Sequence, residues 1–545
     1  MNKACLSWAK LGYTTLLAVF LLASSGVVLA ENSCRPLMES KISGATTIFA
    51  DVVEAGGFAG PPDGSGNRDL TAPYKGIPAF CRVVVVAKPT TDSEIRIEVW
   101  MPLAGWNGKL QGIGNGGFAG TIDYMQLGAA VSQGYAATGT SAGHIAATPL
   151  DASWALGHPE KVIDFGPRGI HDMTRVAKEA VRAFYGKPQQ HSYFAGCSDG
   201  GREALMEAQR YPADYDGILA GAPANYWTAL LSTAAVDTQA LTLDAASYIP
   251  QTKVPAISAA VVKACDEIDG VRDGILNDPR QCHFDPATIQ CKAGKDSDKC
   301  LTAPQAAALR KIYAGPHDAQ GHEIFPGFLP GGEDGAGGWG LWIFGPAPAK
   351  SLMAFFGIGY FADMVYEKPD WDYKTFQLET ALKLAEERTE TALDATDPDL
   401  KPFRARGGKL ILYHGWNDPA IPALNTVNYY QNVVAKLGQS DADSFVRLYM
   451  VPGMQHCDNG PGPDSFGQVG QLTSDDPQRS VDAALERWVE KGTAPGTIIA
   501  SKYSADDREH PIMTRPLCTY PQAAKYKGKG DTNDAGNFVC EAPKK

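Results

Sequence analysis

Ser192-Tyr193-Phe194-Ala195-Gly196-Cys197-Ser198-Asp199-Gly200-Gly201-Arg202 is the stretch on which the reading of the whole chain turns. The apolar run from Ser192 to Ala195 predicts a strand and Arg202 to Arg210 predicts a helix. Gly196-Cys197-Ser198-Asp199-Gly200 therefore sits at a strand-to-helix junction of the form G-x-S-x-G, a turn that lifts a serine hydroxyl above a sheet. So sharp a turn brings strand and helix together, and Gly196, Gly200 and Gly201 omit the side chains that would keep them apart. A glycine-rich turn with an incidental serine is the plainer alternative, and the flanking strand and helix weigh against it.

Outward from this junction, short apolar runs alternate with amphipathic ones from about residue 80 to 225, the mark of an α/β fold with a mainly parallel sheet. Strands are predicted at Arg82 to Ala87, Ile95 to Met101, Leu110 to Ile113, Tyr135 to Thr138 and Gly217 to Ala220. Met173, Val176, Ala177, Ala180, Val181 and Phe184 recur at helical spacing in a segment beginning near Gly169. The same grammar returns after residue 408, with strands at Lys409 to Tyr413 and Phe445 to Val451 and a helix at Ser480 to Glu490. Between them, residues 225–404 are rich in Gly, Pro and aromatics and are expected to form an inserted lid, leaving 31–224 and 405–545 as one catalytic domain.

A serine hydroxyl is a weak nucleophile at neutral pH, so it needs a histidine to take its proton and a carboxylate to orient the histidine. In this architecture the order is Ser, then Asp or Glu, then His, each after a strand. The strand ending at Tyr413 runs into His414-Gly415-Trp416-Asn417-Asp418, and the strand ending at Val451 runs into Pro452-Gly453-Met454-Gln455-His456. Ser198 is thus expected as nucleophile, Asp418 as orienting acid and His456 as base. His414 precedes Asp418 and reads as structural, and His510 follows no apolar strand. Cys197 adjoins the serine and Cys457 adjoins the histidine. A bridge between them would bring their Cα atoms to roughly 5.5 Å and staple the two loops together. By loop entropy it would add on the order of 5 kcal/mol, less any strain. An oxyanion needs backbone N–H donors. Asp199 and the loop Gly114-Asn115-Gly116-Gly117 are the expected source, with Gly116 favoured and Gly117 next.

The first thirty residues read as an export signal: Lys3 and Lys10, an apolar run from Tyr13 to Leu22, and small residues at Val28-Leu29-Ala30 before a cleavage near Ala30. The run is short for a membrane span and is interrupted by Thr14 and Thr15. Of eleven cysteines, Cys5 leaves with the signal. The even remainder in an exported chain predicts disulfides and a secreted or periplasmic destination. Zinc is the weaker reading because no CxxC pair occurs. A formal charge of −12 argues against a nucleic-acid partner.

With these residues in hand the chain resembles the tannase and feruloyl esterase family, which includes the hydrolases of mono(2-hydroxyethyl) terephthalate. The resemblance runs through nearly the whole mature chain and is most specific in Cys197-Ser198, Asp418 and His456-Cys457. It implies an α/β-hydrolase core with a large lid and cleavage of small-molecule aromatic esters. It also implies the pairs Cys34 with Cys81, Cys265 with Cys282, Cys291 with Cys300, and Cys518 with Cys540. It further implies a structural Ca2+ in the lid, held by the carboxylates of Asp266, Asp269 and Asp273 and the carbonyls of Val271 and Ile275. Three aspartates in a glycine-turned loop repel one another unless a hard cation gathers their oxygens. A solvated acidic loop is the alternative.

The family's substrates differ in whether the acyl part carries a carboxylate, as terephthalate does, or phenolic hydroxyls, as ferulate and gallate do. No arginine occurs from Lys311 to Glu387, which favours the neutral hydroxycinnamoyl or galloyl esters. Aromatic density in the lid, from Trp227 through Phe325, Phe328, Trp339, Trp342, Phe344, Phe355, Phe356, Tyr360 and Phe361, suits a planar acyl group, although core packing is the commoner fate of such rings. A non-catalytic binding protein on the same fold, or an acyltransferase, are the readings from other classes.

Overall fold

Nine strands make one twisted mixed sheet: β1 (Ala45–Val53), β2 (Phe80–Ala87), β3 (Ile95–Pro102), β4 (Lys109–Ile113), β5 (Ala136–Thr140), β6 (His191–Cys197), β7 (Gly217–Gly221), β8 (Lys409–Gly415) and β9 (Val446–Val451). Their spatial order is β1-β2-β3-β5-β4-β6-β7-β8-β9. Every pairing from β5 to β9 is parallel, while β1, β2 and β3 form an antiparallel edge. This computed structural model describes residues 34–62, 69–468 and 474–542; the export signal expected in residues 1–30 lies outside them.

Period-two alternation sorts the strand side chains onto two faces. Leu410 and Leu412 of β8 and Phe194 of β6 join one core, while Ile411, Tyr413, Tyr193 and Ala195 join the other. The main helices are α1 (Tyr124–Ser132), α2 (Gly169–Tyr185), α3 (Asp199–Arg210), α4 (Trp227–Thr242), α5 (Ala303–Ala314), α6 (Leu352–Gly359), α7 (Leu424–Leu437) and α8 (Val481–Lys491). The α2 stripe of Met173, Val176, Ala177, Ala180 and Val181 covers the first face together with α3 and α7, and the helix ends on Gly186 at φ +68°. Leu127 and Val131 of α1 and Leu485 and Trp488 of α8 cover the second. Each large apolar side chain so buried contributes about 2 kcal/mol.

The expected strands and the helix near Gly169 are all present. Strand β1 was not anticipated, because as an edge strand it buries only Ala50 and carries no clear alternation. Two hairpins also lie near the C-terminus, Ile498–Lys502 with Met513–Leu517 and Ala523–Tyr526 with Phe538–Glu541.

Between the end of β7 at Gly221 and the start of β8 at Lys409 the chain leaves the sheet and builds α4, α5 and α6 around a separate apolar core. Trp339, Tyr360, Phe361, Phe325 and Phe328 fill that core. Thr302 and Gln305 close the start of α5 with a reciprocal capping box. The two ends of the insertion are clipped together at its neck. Thr228 donates its N–H and hydroxyl to Asp394 at 3.0 and 2.8 Å, and Ala395 donates its N–H to Asn225 at 2.7 Å.

Burial pushes the Asp394 carboxyl up to about 7, against the donors of Thr228. A carboxyl raised above its unfolded value contributes most at low pH, and that contribution is lost as pH rises through the folded value. Native stability should therefore fall between about pH 4 and pH 7 through this residue. Urea midpoints of the wild type and Asp394→Asn, compared at pH 5 and pH 8, should shift by roughly 2 kcal/mol in the variant's favour at the higher pH. A gap that does not change with pH would contradict this account of the neck.

Candidate active site

Ser198 stands between β6 and α3 at φ +66° and ψ −123°, a conformation that non-glycine residues rarely adopt. Its surroundings hold it there. The Ser198 N–H donates to the Gly221 carbonyl at 3.0 Å, and its own carbonyl accepts N–H groups from Gly201, Arg202 and Ala224. A Cβ on Gly196 would lie 2.4 Å from the Gly200 carbonyl oxygen, and one on Gly201 would lie 2.3 Å from that of Gly221. Both positions thus exclude any side chain.

Asp418 follows β8 and His456 follows β9, and the structure brings them together. His456 Nδ1–H donates to Asp418 Oδ2 at 2.8 Å, which leaves Nε2 free to serve as the basic nitrogen. Asp418 Oδ1 accepts N–H groups from Ala420 and Ile421 at 2.7 and 2.9 Å. Burial would raise the Asp418 carboxyl, but the charge of His456 and hydrogen bonds from His414 and His456 hold it well below the usual range. His414, expected as structural, is fully buried with Nε2 3.1 Å from Asp418 Oδ2, and it also contacts Thr426 Oγ1 at 2.7 Å and the Ile421 carbonyl at 3.0 Å. His510 lies elsewhere, against Asp507. The Trp342 ring packs edge-on to the His456 imidazole, centroids 5.0 Å apart.

Cys197 and Cys457 are bonded, with Cα atoms 6.1 Å apart across 260 residues of sequence. The other four pairs are Cys34–Cys81, Cys265–Cys282, Cys291–Cys300 and Cys518–Cys540. One covalent link therefore joins the residue before Ser198 to the residue after His456.

The loop after β4 is fixed by Asn115. Its N–H donates to Glu203 Oε2 at 2.8 Å, its carbonyl accepts from Gly200 at 2.8 Å, and its Nδ2 donates to the carbonyls of Thr121 and Thr140. Burial pushes the Glu203 carboxyl well above its ordinary value. Among the described residues, no acceptor meets the N–H groups of Gly116, Gly117 or Asp199. Beneath them the Asp199 side chain accepts from Arg202 Nε at 2.7 Å, and the guanidinium lies over the rings of Phe165 and Trp227.

Two cavities meet at Ser198. The larger, about 770 Å³, is lined by Ser198, His456, Gly116 and Gly117 and extends to the N-terminal arm and the start of α1. The smaller, about 40 Å³, is lined by Gly117, Asp199, Trp227, Leu230, Trp342, Met353, Phe356 and Ile421. Of the aromatic residues singled out in the insertion, Trp227, Trp342 and Phe356 reach these cavities, Phe355 is exposed, and most of the others are core. Sequence reasoning missed the arm around Tyr74 and Asp123 as cavity wall, since nothing local signals a loop that folds back over a distant site.

The acidic loop follows α-helical residues Val254–Cys265. Its carboxylates are turned to their own backbone. Asp266 Oδ1 accepts from Gly274, Asp269 Oδ1 from Val271, and Asp273 Oδ1 from Ile275, while Asp273 Oδ2 accepts from Arg515 at 2.6 Å. Among the described residues no three His, Cys, Asp or Glu side chains converge as a metal cluster. Burial, with the charges of Asp273 and Asp266, nonetheless pushes the Asp269 carboxyl up to about 6. An all-oxygen set under this repulsion fits a hard divalent cation in kind, and closing on one requires side-chain rotation.

Sheet order, elbow and insertion define an α/β-hydrolase. The tannase and feruloyl esterase family model matches residues 81–541, and the chain belongs to this family. An uncharacterized esterase of Xanthomonas campestris pv. campestris is 39% identical over 548 residues, 95% of this chain and 93% of its own. A probable feruloyl esterase B of Aspergillus clavatus is 32% identical over 539 residues, 98% of this chain and 100% of its own. The crystal structure of feruloyl esterase B from Aspergillus oryzae superposes with a TM-score of 0.84 at 27% identity, covering 94% of this chain and 99% of that one. The protein is a carboxylic ester hydrolase of the feruloyl esterase and tannase type.

Replacing Cys197 and Cys457 together with Ala should free the loop carrying His456. Turnover should then fall roughly a hundredfold, the cost of about 1 Å of misplacement. Far-UV circular dichroism should change little. Full activity in the double variant would show that the loops hold each other without the bond.

Proposed function

We propose that this enzyme cleaves esters of neutral aromatic acids, hydroxycinnamoyl or galloyl, through an acyl-enzyme on Ser198. His456 Nε2 takes the Ser198 hydroxyl proton as Oγ bonds to the ester carbon. Asp418 holds the imidazole tautomer and meets the positive charge that forms. The N–H groups of Asp199 and of Gly117 or Gly116 receive the oxyanion. Collapse of the intermediate breaks the bond to the alcohol oxygen, which takes the proton from His456; water then repeats the sequence to free the acid and Ser198.

The observation that carries this reading is the pair of links on the base: its 2.8 Å bond to Asp418 and the covalent bridge from its neighbour to the neighbour of Ser198. The apolar cavity supports a neutral acyl group, because among the described residues no lysine or arginine lines it and the one carboxylate there, Asp199, is tied to Arg202. A carboxylate-bearing acyl group such as terephthalate would find no partner there.

We further infer that the loop from Asp266 to Ile275 holds a structural Ca2+ through Asp266, Asp269, Asp273 and the carbonyls of Val271 and Ile275. Bound there, the cation relieves carboxylate repulsion and takes no part in the reaction. Five disulfides support export to an oxidising compartment, secreted or periplasmic.

Ser198→Ala should retain the melting temperature and lose at least about a thousandfold in kcat on methyl ferulate and methyl gallate. Retained turnover would remove the serine from its role. Excess chelator should lower the melting temperature of the wild type, with calcium restoring it and magnesium doing so poorly. An unchanged melting curve, with no calcium by elemental analysis, would dismiss the metal.

A further inference from the structure

The residues immediately before Asp418 and His456 both reach out of their loops and into the insertion. Asn417 and Gln455 are buried, and each spends its side-chain amide on backbone carbonyls of one turn, Pro330-Gly331-Gly332-Glu333-Asp334. Asn417 Nδ2 donates to the Pro330 carbonyl at 3.3 Å. Gln455 Nε2 donates to the carbonyls of Gly332 and Asp334 at 3.0 and 2.7 Å. The fit is also steric. Gly331 stands at φ +106°, a conformation that strains any other residue, and a Cβ on Gly332 would lie 2.3 Å from the Asn417 carbonyl oxygen.

The turn is held equally firmly on its other side. Glu333 is fully buried; both of its carboxyl oxygens accept the Gly331 N–H at 3.0 Å, and Oε1 also accepts the Tyr313 hydroxyl of α5 at 2.7 Å. From this turn the chain runs straight to the ring beside His456. The Trp339 N–H donates to the Glu333 carbonyl at 2.9 Å, and the Trp342 N–H donates to the Gly338 carbonyl at 3.2 Å. Trp339 is anchored in the aromatic core of the insertion, while Trp342 packs edge-on to the His456 imidazole. The bond from Nδ1 to Asp418 fixes one corner of that imidazole and leaves the ring free to tilt about it; a second contact, from Trp342, removes that freedom.

We propose that Asn417 and Gln455 are positioning residues: they latch the turn at 330–334 onto the loops of Asp418 and His456, and so keep Trp342 against the imidazole and Nε2 aimed toward Ser198. The proposal rests on the roles given above to Ser198, Asp418 and His456. On this account the insertion is fastened to the loops it covers, and it aligns His456 as well as walling the cavities.

The test reads the rate at which methanesulfonyl fluoride labels Ser198, because so small a reagent reports the pairing of Ser198 with His456 and depends little on how the two halves of an ester are bound. Gln455→Met keeps the volume of the side chain and removes both donors. It should slow labelling, and kcat on methyl ferulate, by roughly tenfold, part of the hundredfold cost of about 1 Å of misplacement. Trp342→Ala should slow labelling to a similar degree. Since the latch acts through Trp342, the double variant should label within about twofold of Trp342→Ala alone. His456→Ala is the control and should label at least about a hundredfold more slowly than the wild type. Wild-type labelling in that control would overturn the proposed roles and the latch together. With the control as expected, wild-type labelling of Gln455→Met, or losses that multiply in the double variant, would overturn the latch and leave the Ser198 mechanism standing. Should Gln455→Met melt early, hydrogen exchange of the wild type decides the same question. The amides of Gly331, Trp339 and Trp342 should then exchange in step with those of Asn417 and Gln455, and a turn that opens independently of them would overturn the proposal.

Discussion

The close approach of β6, α3 and the loop after β4 is the constraint from which the rest of the site follows. A serine at φ +66° is costly, by about 1–3 kcal/mol, and persists only because its neighbours leave it no alternative. Gly196 and Gly201 have no room for a Cβ, and the backbone bonds from Ser198 to Gly221, Arg202 and Ala224 tie the turn to β7 and α3 at once. The same packing brings Gly200 against Asn115, so the elbow and the candidate oxyanion loop are one steric unit. Glu203, on α3, completes it by accepting the Asn115 N–H.

Against that rigid unit His456 arrives from a distant part of the chain. His456 is fixed on two sides, by Asp418 through a hydrogen bond and by Cys457 through the covalent bridge to Cys197. Asp418 in turn is buried and spends both oxygens, one on two backbone N–H groups and the other on two histidines. Removing water from such a carboxylate would ordinarily neutralise it. Here His456 and His414 more than offset burial, so it stays ionised and able to orient an imidazole. His414, one turn of loop earlier, thus supports the Asp418 carboxylate, its own ring held by Thr426 and the Ile421 carbonyl.

The insertion between β7 and β8 contributes a wall and brings no member of the Ser198, Asp418 and His456 set. Its own aromatic core is what allows Trp342 to be presented to His456 and Trp227, Met353 and Phe356 to the apolar cavity. The N-terminal arm supplies the opposite, more polar wall. Ser198 lines both cavities, one with a mainly apolar wall and the other with a more polar one.

Local pattern alone determined a good deal about this protein. Apolar runs set the strands from β4 to β9, because buried parallel strands must be apolar on both faces, and similar runs at β2 and β3 and helical spacing at Gly169 set those elements. Gly-x-Ser-x-Gly between a strand and a helix carried the elbow, since its steric demand is met within a dozen residues. The order of Asp418 and His456 after their strands was legible for the same reason, and the two cysteines beside Ser198 and His456 joined these loops in advance. What pattern could not decide is whatever depends on distant segments meeting. The edge strand β1, the C-terminal hairpins and the arm that walls the large cavity have no local period or spacing to announce them. Nor could it sort the aromatics of the insertion, because a tryptophan in a core and a tryptophan in a cavity wall look alike until the chain has folded around one and left space beside the other.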